Sequence, residues 1–374
     1  MFNKSSWKSV QFGDVVTNIN SYFDRNNTGV YPYIAGPEIT EGNLHATPSF
    51  AEVDEIPPTF KRIFLPNDVL YHSRNVEKLA VSEIKGITGE KLFVLRTKDS
   101  SCILQEYIPF MMMTNKFKQE IKSRLTGSCN KFLNWSALAS TVCEIPPLDE
   151  QQRIAELLWA ADEMIEAYDL IYNDLSSLKS KFVDTYFDSK PNKSKLSEHC
   201  INITTKYGKD ESEENCVELK CLEPHTGKIT YFVKKDKNAS SYNVFSKGDV
   251  LFGKLRPYLR KYTLASQTGI ACSEILVLRA NQNIMPEYLY EIIQSNSFIE
   301  YNSHLSYGTK MPRTSWKLIA DYECYVPSLD EQKAFVSKVN NISENMTLVK
   351  QQILGSKLLL NHLFEKIYGC ASNV

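Results

Sequence analysis

Pro146-Pro147-Leu148-Asp149-Glu150-Gln151-Gln152-Arg153-Ile154 returns 181 residues later as Pro327-Ser328-Leu329-Asp330-Glu331-Gln332-Lys333, with Ser328 in place of the second proline. The same offset carries Trp135 to Trp316, Gly127 to Gly308, Glu106-Tyr107 to Glu287-Tyr288, Phe117 to Phe298, and Asp68-Val69-Leu70 to Asp249-Val250-Leu251. Ile34, Glu38 and Gly42 are answered, at a slightly different offset, by Leu219, Glu223 and Gly227. This period far exceeds the roughly 20–50 residues of solenoid and propeller repeats, so each copy is large enough to hold its own core. The chain reads as two divergent halves, an arrangement suited to a two-part target.

Each copy of the motif opens a long proline-free amphipathic stretch. In the first, apolar residues fall at Ile154, Leu157, Ala161, Met164, Tyr168, Ile171, Leu175, Leu178 and Phe182. In the second they fall at Phe335, Val339, Ile342, Met346, Val349, Ile353, Ser356, Leu360, Leu363 and Ile367, with Ser356 expected to weaken the seam locally. Alternating steps of three and four are a heptad seam. The prolines just before each stretch disfavour helix in the residues preceding them and so mark the start. Each stretch predicts a helix of about 35–40 residues, roughly 55–60 Å at 1.5 Å per residue. Two such helices, each following a globular segment, are expected to pair antiparallel. The doublets Leu157-Leu158, Met164-Ile165 and Ile171-Tyr172 widen the first stripe beyond a two-stranded seam.

The segments before the helices read as mixed α/β. Strands are expected at 91–96 and 274–279, and helices at 107–122 and 286–301. Ser189-Lys190-Pro191-Asn192-Lys193-Ser194-Lys195 reads as a linker. The boundaries that follow are 1–146, 147–188, 189–327 and 328–374, an α+β chain with a pseudo-twofold internal repeat.

The net charge of −1 conceals an uneven distribution: those four segments carry +1, −7, +4 and +1. The acidic 147–188 stretch will not approach phosphates, so nucleic-acid contact belongs to the globular segments and a protein is the expected neighbour of that helix. The 374-residue length fits two to three domains. No run of eighteen apolar residues is present, and the opening Met1-Phe2-Asn3-Lys4-Ser5-Ser6-Trp7-Lys8 lacks a signal-peptide core; a cytoplasmic location, away from membranes, is expected. Nine scattered cysteines, without a zinc-like spacing, fit reduced structural thiols and no metal. Phosphate-loop, GxSxG, HExxH and GxGxxG patterns are absent, and His45, His72, His199, His225, His304 and His362 are expected on surfaces or loops. No catalytic residues and no cofactor are assigned to this chain.

The doubled motif, each copy leading into a heptad helix, resembles the DNA-specificity subunit of type I restriction-modification systems. The openers Trp7 to Val16 and Leu196 to Cys200 add to the likeness, as does the run from Gly248 to Lys261. The resemblance covers nearly the whole chain. It implies two target-recognition domains separated by two conserved helical spacers, a non-catalytic reader of double-stranded DNA. Each recognition domain would read one half of a bipartite site, while the helices fix the unread gap and dock two methyltransferase subunits. S-adenosylmethionine, ATP and magnesium would reside on the methyltransferase and restriction subunits. A coiled-coil scaffold and an orphan DNA-modifying enzyme are the alternative readings.

Basic side chains interleaved with an aromatic one suit phosphate contact and Arg pairing with guanine. On that ground Lys254, Arg256, Tyr258, Arg260 and Lys261 are candidate DNA contacts. The turn-rich stretch Tyr307, Thr309, Lys310 and Arg313 is a second candidate, matched in the first half by Ser128, Asn130 and Lys131. Arg74, Asn75 and Lys78 complete the set. The modest charge of either globular segment implies a limited electrostatic grip by the chain alone.

Overall fold

The computed structural model describes residues 4–207, 215–235, 241–306 and 311–369. The chain forms two compact units, Met1–Leu170 with Lys350–Val374 and Ile171–Val349. The first long helix, Leu148–Asp188, and the second, Leu329–Tyr368, each lend one half to each unit. The compact units group the residues otherwise than the four segments read from sequence, each unit taking half of both long helices.

In unit 1 a four-stranded antiparallel sheet runs in the order Val16–Asn18, Leu92–Thr97, Val69–His72, Leu79–Val81. Against it lies a second sheet, ordered Ser49–Glu52, Val30–Ile34, Gly86–Gly89, Phe60–Phe64, with one parallel pair. Successive side chains of a strand point to opposite faces, and the inner sheet uses both. Val69, Tyr71, Phe93 and Leu95 join a core shared with the helices, while Leu70, Leu92 and Val94 meet Ile34 and Phe64 of the second sheet. Burial on both faces is why these strands read as continuous apolar runs.

Unit 2 repeats the plan. Its inner sheet is Cys200–Asn202, Ile275–Ala280, Val250–Gly253, Tyr262–Leu264, and its outer sheet Cys216–Val217, Gly269–Cys272, Tyr242–Phe245. Val250, Phe252, Leu276 and Leu278 face the helical core; Leu251, Ile275 and Val277 face the other way. Where unit 1 has the edge strand Ser49–Glu52, the described residues of unit 2 have the bridge Cys216 to Val233. The turn into each central strand is closed by a buried aspartate: Asp68 takes two bonds from Arg96 and one from the Leu65 amide, and Asp249 does the same with Arg279 and Ser246.

The expected helices at 107–122 and 286–301 are each broken in two. Thr114 and Ser295 adopt extended backbone and turn their hydroxyls to the amides of Phe117 and Phe298, capping a new helix at each site. The strands expected at 91–96 and 274–279 are present at Leu92–Thr97 and Ile275–Ala280.

Within each unit the long helices run in opposite directions. In unit 1 Trp7 donates to Glu150 near the start of the first helix and packs edge-on against Tyr368 at the end of the second. In unit 2 Tyr186, near the end of the first helix, stacks on Phe335 near the start of the second at 4.1 Å. In the second helix the seam positions Phe335, Val339, Ser356, Leu360 and Ile367 are buried, Ile342, Met346, Val349, Ile353 and Leu363 are half-buried, and Val336 and Phe364 are buried beside the expected seam. The first helix departs from expectation. Leu157, Ile171 and Leu178 are 42 %, 45 % and 53 % exposed, and the inward positions are Ile154, Ala155, Leu158, Ala161 and Ile165.

The rotation of both helices follows from the glutamine of the motif. Fully buried Gln151 donates to the Pro146 and Cys102 carbonyls and accepts from the Leu104 amide, at 2.9–3.0 Å. Gln332 makes the same three bonds to Pro327, Asn283 and Met285, at 2.8–2.9 Å. Pinning this residue inward places 154, 155, 158, 161 and 165 inward by helical geometry, a stripe broad enough to cover a domain.

Candidate nucleic-acid interface

One backbone joint recurs at the tip of each unit. In unit 1, Ser73 follows the central strand; its amide and hydroxyl donate to the Lys91 carbonyl, and its own carbonyl accepts from the Leu133 amide at 2.7 Å. Residue for residue, Lys254 donates its amide to the Glu274 carbonyl and accepts from Thr314 at 2.9 Å. Each joint brings together a turn after the central strand and the loop that precedes Trp135 or Trp316. These are the regions in which the candidate DNA contacts were placed.

In unit 1, Thr126 and Phe132 exchange two backbone bonds of 2.9 Å, closing a loop on which Ser128, Asn130 and Lys131 are all exposed. Beside it Arg74 is exposed, Asn75 donates its amide group to Glu41, and Lys78 donates its ammonium to the Gly36 carbonyl. His72 Nδ1 accepts from the Arg74 and Asn75 amides, which places the proton of the neutral ring on Nε2. Burial lowers its pKa, and the positive field of Lys78, Lys91 and Arg74 lowers it further. Three cations thus converge on this turn. Lys91 was absent from the sequence-derived set; its place just ahead of a strand gave it no basic neighbours in sequence.

In unit 2 the basic run is half-buried. Arg256 and Arg260 both adopt left-handed backbone, φ 50° and 51°, on either side of a single turn, Pro257–Leu259. That conformation disfavours side chains with a Cβ, and here it lifts Tyr258 to the crest, 48 % exposed. Arg256 is anchored by its amide to the Pro312 carbonyl. Lys254 donates to the Ser273 carbonyl, and burial lowers its pKa. Arg260 reaches the Gln294 carbonyl and the Asn296 side chain, and Lys261 the Leu219 carbonyl. Arg260 and Lys261 thus stitch the crest to the domain, a role not visible in a basic run. Arg313 is exposed and pairs with Glu274 at 3.1 Å. Tyr307, Thr309 and Lys310 lie outside the described residues.

The histidines are not all free surface groups. His199 is buried between Ser194 and Asn283. His45 is clamped in unit 1: Nε2 bonds Asp162 at 2.8 Å, and Nδ1 lies 2.9 Å from Glu83 and 3.2 Å from Glu166. His45, Glu83 and Glu166 are the one group among the described residues that could hold a metal ion. The Asp162 hydrogen bond, reinforced by Glu83 and Glu166, outweighs burial and raises the His45 pKa to about 9, so a proton occupies this node at neutral pH. A raised histidine pKa stabilises the fold fully below the ordinary value near 6.5, and that contribution is lost as pH rises through 9. Because Glu83 is well exposed, solvent screening reduces the expected effect to about 1 kcal/mol. Urea melts of wild type and His45→Gln should therefore differ by about this amount at pH 6.5 and converge by pH 10; a constant difference would remove the charged clamp.

No helix among the described residues is long and apolar enough to cross a membrane. The sequence profile described as "Type I restriction modification DNA specificity domain" matches residues 4–174. The chain is 24% identical to the MjaVIII specificity subunit of Methanocaldococcus jannaschii over 92% of its own length and 88% of that protein. It is 24% identical to the EcoDI specificity subunit of Escherichia coli over 40% of its own length and 34% of that protein. For the HindI specificity subunit of Haemophilus influenzae the figures are 25%, 48% and 41%. The chain thus spans well under half of the E. coli and H. influenzae proteins in these alignments. Two solved structures share the fold. The type I restriction-modification S subunit from M. genitalium aligns with a TM-score of 0.58 at 14% identity, over 96% of this chain and 95% of that one. A chain from a study of complex assembly in a type I system aligns with 0.57 at 16%, over 96% and 97%. Residues 4–174 thus match the DNA specificity domain of type I restriction-modification systems, and the duplicated fold is the one shared by two solved chains of such systems.

Proposed function

We propose that the tip of each unit reads one half of a bipartite duplex site, and that the two long helices set the unread gap and dock two methyltransferase subunits. The reading rests on one observation above all: the same joint supports both tips, yet the side chains mounted on it differ. Arg74, Ser128, Asn130 and Lys131 in unit 1 stand where unit 2 offers Arg256, Tyr258 and Arg313, a difference suited to two unlike half-sites. Lys78, Asn75, Lys254, Arg260 and Lys261 hold these loops in place.

The chain's part is recognition, and S-adenosylmethionine, ATP and magnesium belong to the methyltransferase and restriction subunits that assemble around it in the cytoplasm. Limited charge on either unit makes the grip on phosphates modest until those partners close around the duplex.

Mapping methylated sites tests this reading. A heptad added to both long helices adds about 10 Å of rise, roughly three base pairs of duplex. The expected product is the same two half-sites with a changed gap. Unchanged spacing would refute the spacer role, and changed half-sites would refute reading by the tips.

A further inference from the structure

Unit 1 carries a cleft of about 850 Å³ against the outer side of the first long helix. Trp159 stands in it, its indole N–H bonded to the Glu106 carbonyl and its ring edge-on to Phe110 at 5.1 Å. Glu83, Glu106, Glu156, Glu163 and Glu166 line the same cleft. His45 answers Glu83 and Glu166. Glu106, Glu156 and Glu163 are exposed and form no ion pair among the described residues. Such a concentration of unanswered carboxylates repels nucleic acid and attracts a cationic partner.

The internal repeat supplies a comparison. Advancing by 181 residues leads to a cleft of about 340 Å³ in unit 2, in the same place on the second helix. There Gln152 has become Lys333, Glu156 has become Ser337 and Trp159 has become Asn340, while Glu163 is kept as Glu344. The smaller cleft has lost both the aromatic wall and most of the negative charge.

We propose that the acidic cleft of unit 1 seats a lysine- and arginine-bearing segment of a methyltransferase subunit, and that the equivalent face of unit 2 binds the second copy without this electrostatic contact. The inference rests on the docking role of the helices proposed above. It makes the two partner sites chemically unequal: complementary charge drives one, and neutral packing the other. Complementary charge chiefly speeds encounter and makes binding sensitive to salt, so the inequality can be read directly.

The test is stepwise assembly of the full chain with its methyltransferase subunit, followed by sedimentation at 50 and 400 mM salt. One of the two binding steps should weaken steeply with salt and the other little. Glu156→Gln with Glu163→Gln, both exposed, should weaken the salt-sensitive step by roughly tenfold and flatten its salt response. Lys333→Gln with Ser337→Glu should confer salt sensitivity on the other step. Two steps with equal salt response, or a salt-sensitive step untouched by Glu156→Gln and Glu163→Gln, would overturn the inference while leaving the docking role intact. A wild-type chain that takes up no methyltransferase subunit would overturn the docking role itself.

Discussion

Gln151→Leu should destabilise unit 1 by about 3–5 kcal/mol, and Gln332→Leu should do the same to unit 2. Each glutamine is fully buried with all three of its bonds directed at backbone. Leucine is close in volume, so the substitution opens little space. It leaves two carbonyls and one amide buried without partners, at about 1–3 kcal/mol each, offset in part by a more apolar side chain. Asp149→Ala supplies the contrast within the same motif. That side chain pairs with exposed Arg153 one turn along, an arrangement worth less than about 0.5 kcal/mol. Urea melts would give the losses, and hydrogen exchange would assign each to its own unit. A loss below about 1 kcal/mol for Gln151→Leu would mean that the motif is kept for some purpose other than fixing the helix.

That staple also explains what could be read in advance. The second heptad seam was the more legible because Val339 and Ile342 stand between polar neighbours, although Val336 beside Phe335 and Phe364 beside Leu363 are buried as well. In the first helix, Leu157-Leu158 and Met164-Ile165 offered two phases, and hydropathy alone could not rank them. The duplication held the answer: Val339 lies 181 residues after Leu158, and Met346 after Ile165, so the more legible copy fixes the other. The breaks at Thr114 and Ser295 were hidden for another reason. A hydroxyl cap ends one helix and starts the next without any change in apolar content, so the pattern runs through it.

The functional tips were legible in location more than in detail. A run of Lys and Arg announces positive charge, but which cations face outward depends on where the chain finds carbonyls without partners. Arg260 and Lys261 meet such carbonyls at Gln294 and Leu219. Lys91 contributes to the unit 1 tip through a joint that spans 18 residues to Ser73, a proximity no local window contains. The acidic cleft was visible only as a segment charge of −7; its closure by Glu83 and Glu106 from the recognition domain required the fold.

Removing the outward cations of one tip should have the largest effect on DNA binding, and only at one half-site. For Arg74→Ala, Lys91→Ala and Lys131→Ala together, the assembled complex should lose about 3 kcal/mol, roughly 100-fold in affinity, at moderate salt. Each lost phosphate contact lowers the slope of log K against log salt by about 0.9, so a fall of two to three is expected if all three side chains touch phosphate. A smaller fall, with relaxed base preference in one half of the site, would mark a side chain that reads a base edge. Arg260→Ala provides the opposing case: its guanidinium ties the crest to Gln294 and Asn296, so stability should fall by about 1–2 kcal/mol with the salt slope unchanged. Binding titrations at several salt concentrations, on duplexes altered in one half-site at a time, separate these outcomes. If the triple substitution weakened recognition of both half-sites equally, base reading would not be divided between the two units.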